Sequence, residues 1–285
     1  MSIGLHLKDP QIDEVRDLAP LAQGAGCSHL FFPELSVTSA GPATGRDPLV
    51  ASSVALESTS SLMVGTGVVG TIFHTTHHLA LTAATLVEQS GGRFVLGVGV
   101  AHREFADRLG VAFPASVVNH AREACSDLRA WSRDGVGFGG GFPVWLAALG
   151  PRMIQAALDT ADGAMLNWVS PDAAQTVSQS AASLGRPWTV SAMVRVGPRT
   201  VLEDDAARYR SMFVNYAAHF DRQGLETPRQ VVDATCLPTD AFGRLGGLAS
   251  AYADAGVDVL IFNPAGMERS GIEALLDVVA GIRTA

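Results

Sequence analysis

The sequence predicts an α/β fold, a (β/α)8 TIM barrel with an insertion after strand seven. Three observations point there. Short, near-continuous apolar runs recur eight times between helical patterns, as strands buried on both faces require. The chain has 285 residues, 47% of them hydrophobic, enough for one barrel of about 250 residues. Glycines gather where two consecutive runs end, in Gly65-Thr-Gly-Val-Val-Gly70 and in Gly91-Gly-Arg-Phe-Val-Leu-Gly-Val-Gly99. At the carboxyl ends of parallel strands such positions let a ligand lie directly against backbone.

Strands are expected at Ile3–Leu7, Leu30–Pro33, Leu62–Val68, Phe94–Val98, Val144–Ala147, Ala164–Asn167, Thr189–Arg195 and Val257–Phe262. The first starts too early to leave room for a secretion signal. After strand two, Ser36–Arg46 is rich in Ser, Thr, Gly and Pro and reads as a loop. Asp47-Pro48 is an N-cap followed by proline at the first helical position, and Ser170-Pro171-Asp172 repeats it. Thr76 to Glu88 reads as the crossover helix between strands three and four. Gly185 and Gly256 are stop signals before the next strands. Gly197 to Asp240 is too long for one crossover helix and carries proline breaks at Pro228 and Pro238. It reads as an insertion, roughly 198–240, on the rim where barrel enzymes build substrate covers. The whole chain, 1–285, is expected to be one domain.

A formal charge of −8 without a Lys/Arg cluster argues against a nucleic-acid partner. The longest apolar run, Phe94–Ala101, is far shorter than the roughly 18 residues that cross a bilayer. Cys27, Cys125 and Cys236 are scattered and odd in number, which suits reduced thiols in a cytoplasmic protein. His74-Thr-Thr-His77-His78 has no third ligand at a zinc spacing, so no metal is expected. Gly97-Val-Gly99 lacks the third glycine of a dinucleotide fingerprint, since position 102 is His.

A barrel places its chemistry at the carboxyl ends of the strands. The polar residues predicted there are His6, Glu34, Thr66, His102, Glu104, Asn167, Arg195 and Asn263. Glu34 follows Phe31, Phe32 and Pro33, an apolar setting that desolvates a carboxylate and suits proton transfer. Gly150-Pro151-Arg152 opens a helix after strand five. Proline at its first position leaves the next amides free for an anion such as a cofactor phosphate, and Arg152 adds charge.

Four segments carry a family resemblance by their order and spacing. They are Phe32-Pro-Glu34 with Asp47-Pro48; Gly65-Thr-Gly-Val68; Ala83-Ala-Thr-Leu86 through Gly99; and Leu146-Ala-Ala-Leu-Gly-Pro-Arg-Met153 with Ala161-Asp-Gly-Ala-Met-Leu-Asn-Trp168. Together they resemble the luciferase-like family of flavin and deazaflavin oxidoreductases, from about Leu30 to Asn167, with a weaker echo at Tyr252–Pro264. The pattern is most similar to the branch that includes methylenetetrahydromethanopterin reductase.

The resemblance implies a barrel that binds coenzyme F420 or, alternatively, FMN, usually as a homodimer. It implies a bulge in strand three at Gly67-Val68, commonly with a non-prolyl cis peptide, and a phosphate site at Leu149–Met153. Glu34 matches an acidic position near the reactive ring carbon. His102 stands where related deazaflavin dehydrogenases carry an acidic proton donor, Ala101 replaces a glycine, and Val69-Gly70 stands where that branch often has Thr-Asn. The expected catalytic residues are therefore Glu34, His102 and His6. The expected cofactor-binding residues are Thr66, Gly67, Val68, Gly99, Leu149, Gly150, Pro151, Arg152, Met153 and Asn167. The expected reaction is hydride transfer between reduced coenzyme F420 and a small organic substrate, with a flavin or F420 reductase as possible supplier. The alternatives are an FMN-dependent monooxygenase using oxygen and a partner reductase, and a barrel that binds cofactor without catalysis. A cofactor-free lyase or isomerase finds no Lys or paired carboxylates at the strand ends.

Overall fold

A computed structural model describes residues 1–34, 37–38, 41–42, 45–134 and 141–283. Eight parallel strands form the barrel: β1 (Ser2–His6), β2 (His29–Phe32), β3 (Met63–Thr66), β4 (Phe94–Gly99), β5 (Val144–Ala147), β6 (Gly163–Asn167), β7 (Thr189–Gly197) and β8 (Val259–Pro264). Each pairs with its sequence neighbour, and β8 pairs with β1 through Ser2↔Val259 to Leu5↔Phe262, so the sheet closes on itself. The predicted strands lie within a few residues of these bounds.

The largest difference is in β3, which was expected to run to Val68. It stops at Thr66 because the Gly67–Val68 peptide bond is cis. The chain then rejoins the sheet at Val69–Gly70, opposite Val98 and Gly99 of β4.

The helices follow the predicted signals. Asp47 caps α2 (Pro48–Ser58) by accepting the N–H groups of Leu49 and Val50 at 2.8 and 3.2 Å. Crossover helix α3 (Thr76–Ser90) ends at Gly91, whose φ of 65° suits glycine. After β4 come α4 (Arg103–Leu109) and α5 (Val117–Asp134), then α6 (Pro151–Thr160) and α7 (Pro171–Ala182), with Ser170 capping α7. Helix α1 (Ile12–Gly24) completes the early ring. Of the predicted loop Ser36–Arg46, the backbone pairing of Val37–Thr38 with Gly41–Pro42 and residues 45–46 are described. Its remainder lies outside the described residues.

Alternation along the strands makes two cores. Aliphatic residues facing outward pack against the helices in one continuous cluster. Inward-facing Phe31, Val95, Trp145, Met165, Val259 and Ile261 fill the barrel. Gly163 makes room for the Trp145 indole, which a Cβ there would approach to 2.8 Å.

Between β7 and β8 lie α8 (Arg199–Met212), α9 (Val214–Arg222), α10 (Pro228–Thr235), a short strand at Cys236–Pro238 paired with the end of β7, and α11 (Leu245–Asp254). Pro228 opens α10, and Pro238 ends the short strand. Helices α8 to α10 form a second apolar cluster around Trp168, Phe213, Tyr216 and Phe220 beside the carboxyl ends of the strands. Helix α12 (Arg269–Arg283) follows β8. No helix among the described residues is long and apolar enough to cross a membrane.

Candidate active site

The mouth of the barrel has an open side and a packed side. On the open side, His6 at the end of β1 is buried, and its Nε2–H donates to Gly67 O at 2.8 Å. A carbonyl can only accept, so this bond sets the tautomer and leaves Nδ1 a bare acceptor, buried without a partner. Burial lowers the His6 pKa to about 4, which keeps the ring neutral near pH 7. Thr66 Oγ1 donates to Gly97 O at 2.6 Å and anchors β3 to β4 just before the cis bond. Glu34 has both oxygens engaged: Oε2 accepts the Gly70 N–H at 2.7 Å, and Oε1 accepts from His74 Nε2 at 2.8 Å. That bond to Glu34 raises the His74 pKa above its ordinary value.

Gly67 and Val68 are half-exposed, and so is Ala147 at the end of β5. Between them lies Gly99, where an added Cβ would come 2.9 Å from Val68 Cγ2 and 3.5 Å from Ala147 Cβ. Small residues on three adjacent strands thus make a shallow shelf of main chain. The shelf leads to the turn Leu149-Gly150 and the start of α6, which no side chain caps. The Met153 N–H is taken by Gly150 O, and the Met153 side chain packs into the outer core. What this end offers an anion is the helix dipole, the Arg152 side chain and Arg222, whose Nη2 would stand 3.3 Å from a Cβ on Gly150.

On the packed side, Arg195 of β7 is 6% exposed and donates through Nη1 to Asn167 Oδ1 at 2.7 Å. Its guanidinium lies over the rings of Trp168 and Tyr209, at 4.0 and 5.0 Å. Asn167 Nδ2 donates in turn to the Tyr216 hydroxyl at 3.1 Å. Asn263 of β8, opposite Arg195 in register, is buried and reaches Met193 Sδ. His102 stacks on Phe213 with ring centroids 4.0 Å apart, and burial lowers its pKa. Ala101 and Trp168, each just beyond a strand end, hold φ values of 68° and 52°, unusual for residues with side chains.

A hydrogen-bond chain ties α9 to the loops beneath it. Ser170 N–H donates to Gln223 Oε1 at 2.9 Å, which orients the amide. Its NH2 then donates to Trp168 O at 2.9 Å and stands 3.1 Å from His219 Nε2. The His219 ring spans the two loops, with Nδ1 2.8 Å from Leu149 O and Nε2 2.9 and 3.1 Å from Trp168 O and Asn167 O. Burial lowers the His219 pKa.

The fold therefore gathers His6, Thr66, Gly67, Val68, Gly99, Glu34, Leu149, Gly150, Pro151, Arg152 and Asn167 along one end of the barrel. His102 stands apart from Glu34 and His6, within the aromatic cluster of the packed side. Glu104 is exposed on α4. At the ends of β3 to β5 stand Gly67, Val68, Gly99 and Ala147; beside β6 and β7, α8 and α9 bring aromatic rings to the strand ends. Sequence reasoning missed Arg222, Tyr216 and His219, which carry no local signal because each sits in an ordinary amphipathic helix. His74 was weighed as a metal ligand; it is the partner of Glu34, and no metal-binding cluster occurs among the described residues. Two cavities, about 390 Å³ beside Cys236 and α11 and about 480 Å³ at the opposite end of the barrel near His29 and Trp188, lie away from these convergent polar groups.

Comparison with known proteins agrees with this architecture. The family model for luciferase-like monooxygenases matches residues 2–255. A 5,10-methylenetetrahydromethanopterin reductase from Archaeoglobus fulgidus is 27% identical over 231 aligned residues, covering 70% of this chain and 69% of that protein. One from Methanolobus tindarius is 28% identical over 145, covering 44% of this chain and only 43% of that protein's length. Among solved structures, an F420-dependent secondary alcohol dehydrogenase with an F420-acetone adduct superposes with a TM-score of 0.77 at 15% identity, covering 99% of both chains. The oxygenating constituent of 3,6-diketocamphane monooxygenase from Pseudomonas putida, in complex with FMN, does so with a TM-score of 0.70 at 14% identity, covering 98% of this chain and 97% of that one.

Proposed function

Because the chain belongs to the luciferase-like monooxygenase family, we propose that it is an oxidoreductase exchanging a hydride between coenzyme F420 and a small organic substrate. The observation that carries this reading is the main-chain shelf of Gly67, Val68, Gly99 and Ala147, continuous with an anion-accepting helix start. A flat ring would lie over the half-exposed Gly67, Val68 and Ala147, and a phosphate between Arg152 and Arg222. Thr66 holds the shelf in register through Gly97 O. Asn167 closes its far edge. The sequence similarity to methylenetetrahydromethanopterin reductases favours the deazaflavin.

When bound, the cofactor supplies the redox chemistry; the chain's own residues supply position and protons. Glu34, paired with His74 at the half-exposed edge of the mouth, exchanges the accompanying proton with solvent. His6, neutral and with Nδ1 bare, accepts a hydrogen bond at that atom while its Nε2–H fixes the Gly67 carbonyl. His102, neutral within the aromatic cluster, borders the substrate space.

One observation favours the FMN-dependent monooxygenase as second reading. Gly70 stands where the deazaflavin branch often has Asn, and a Cβ there would meet the Phe73 ring at 2.6 Å. In that reading oxygen and a partner reductase take part. The same proposal covers the chain as a single domain, a cytoplasmic location and a homodimer.

Titration of the purified protein with coenzyme F420 and with FMN, read by fluorescence, tests the proposal. Tighter saturable binding of F420 is expected. Tighter FMN binding moves the assignment to the monooxygenase, and binding without turnover under any reductant leaves a binding protein. Failure of both cofactors to bind overturns all three.

A further inference from the structure

Arg195 has more positive charge than the protein uses. It is 6% exposed, yet no carboxylate lies within ion-pair distance of it among the described residues. The stretches outside those residues contain no Asp or Glu either. A buried charge normally carries a partner, because leaving water without one is costly. The single hydrogen bond from the guanidinium goes to Asn167 Oδ1, through Nη1. Trp168 and Tyr209 pack against the guanidinium from adjacent directions, their ring centroids 4.0 and 5.0 Å from Cζ and 5.7 Å from each other. Nε and Nη2 donate to nothing among the described residues. Tyr216, which accepts from Asn167 through its hydroxyl oxygen, has its own O–H to donate, and burial keeps the phenol protonated.

Resting on the oxidoreductase reading above, we propose that the substrate carries a carboxylate, and that Arg195 is its receptor. The shape of the free group selects this chemistry. A planar carboxylate makes two parallel hydrogen bonds to the edge of a guanidinium. One buried positive charge balances one negative charge. A phosphate dianion instead has the α6 start, with Arg152 and Arg222, at the other end of the shelf. The charge of Arg195 also reaches His6 and contributes to its lowered pKa. A carboxylate held by Arg195 thus sets the substrate's orientation relative to the shelf and to the bare Nδ1 of His6.

The test uses the full chain with propionate and its neutral isostere propionamide as probes, read by calorimetric titration. Wild-type protein is expected to bind propionate and not propionamide. R195Q is expected to raise the propionate Kd at least about tenfold, the loss of a charge-assisted pair of bonds. R195K, which keeps charge but lacks the fork, should fall between, and it decides the matter if circular dichroism finds R195Q unfolded. R16A, at an exposed arginine of α1 paired with Asp13, should leave propionate binding unchanged. The proposal is overturned if the wild type does not prefer propionate, if R16A abolishes binding in place of R195Q, or if R195Q weakens F420 or FMN and spares propionate. Cofactor titration of the wild type fails or succeeds independently of these arms, so loss of the oxidoreductase reading is recognised separately.

Discussion

A carboxylate whose two oxygens are both engaged does more than one that is merely shielded from water. Glu34 was legible as a desolvated acid because Phe31, Phe32 and Pro33 precede it, but its partners were not. Its hydrogen bond from Gly70 N–H ties the end of β2 to the rejoined strand after the cis bond, and its other oxygen accepts from His74, the pair proposed to exchange the proton. Glu34→Gln should therefore lower turnover by about 100-fold or more with cofactor affinity nearly unchanged, measured by steady-state kinetics beside fluorescence titration. The pair also leaves a signature in stability. The folded state holds the His74 proton more tightly than the unfolded chain, whose value is 6.5. Its contribution is then complete below pH 6.5 and fades as pH rises through the raised folded value. With the two side chains 21% and 17% exposed, solvent screens the effect and it is small. Urea unfolding at a series of pH values should register this decline in the wild type and not in Glu34→Gln.

At the scale of elements, the start of α6 is the clearest case of a signal that was read early and completed late. Gly150-Pro151-Arg152 marks a helix start whatever surrounds it, because proline at the first position fixes φ and has no N–H, but the Met153 amide expected to be free is taken by Gly150 O. Only the fold brings Arg222 of α9 to the same place. Arg152→Ala and Arg222→Ala together should weaken cofactor binding by about tenfold or more, since each removes a charge-assisted contact to phosphate. Both side chains are exposed, so thermal unfolding of the free protein should be almost unaffected. An equal loss of affinity and stability would assign these arginines to the fold alone.

For the molecule as a whole, the question is what holds α8 to α10 over the strand ends. The chain of bonds from Ser170 through Gln223 and His219 to Leu149 pins α9 to the loops after β5 and β6. Trp168, Phe213 and Tyr216 supply apolar burial beneath it. His219→Ala leaves the Leu149 carbonyl without the ring that contacts it and cuts the link from α9 to the loop after β5. Hydrogen exchange should then quicken across residues 199–235 by about tenfold, a cost of about 1–3 kcal/mol to local opening, while the barrel strands keep their protection. Uniform acceleration over β1 to β8 would mean that the segment and the barrel unfold as one.

The sequence by itself determined the closed barrel, because apolar period, caps and glycine stops are local properties that each strand and helix carries within itself. It also determined where the shelf would lie, since residues without bulky side chains are visible as letters. The tertiary structure alone decided which charges meet: His74 with Glu34, Arg222 with Gly150, and Arg195 with two aromatic rings and no carboxylate. Such pairings depend on distances between elements far apart along the chain, and a linear pattern of residues does not contain those distances.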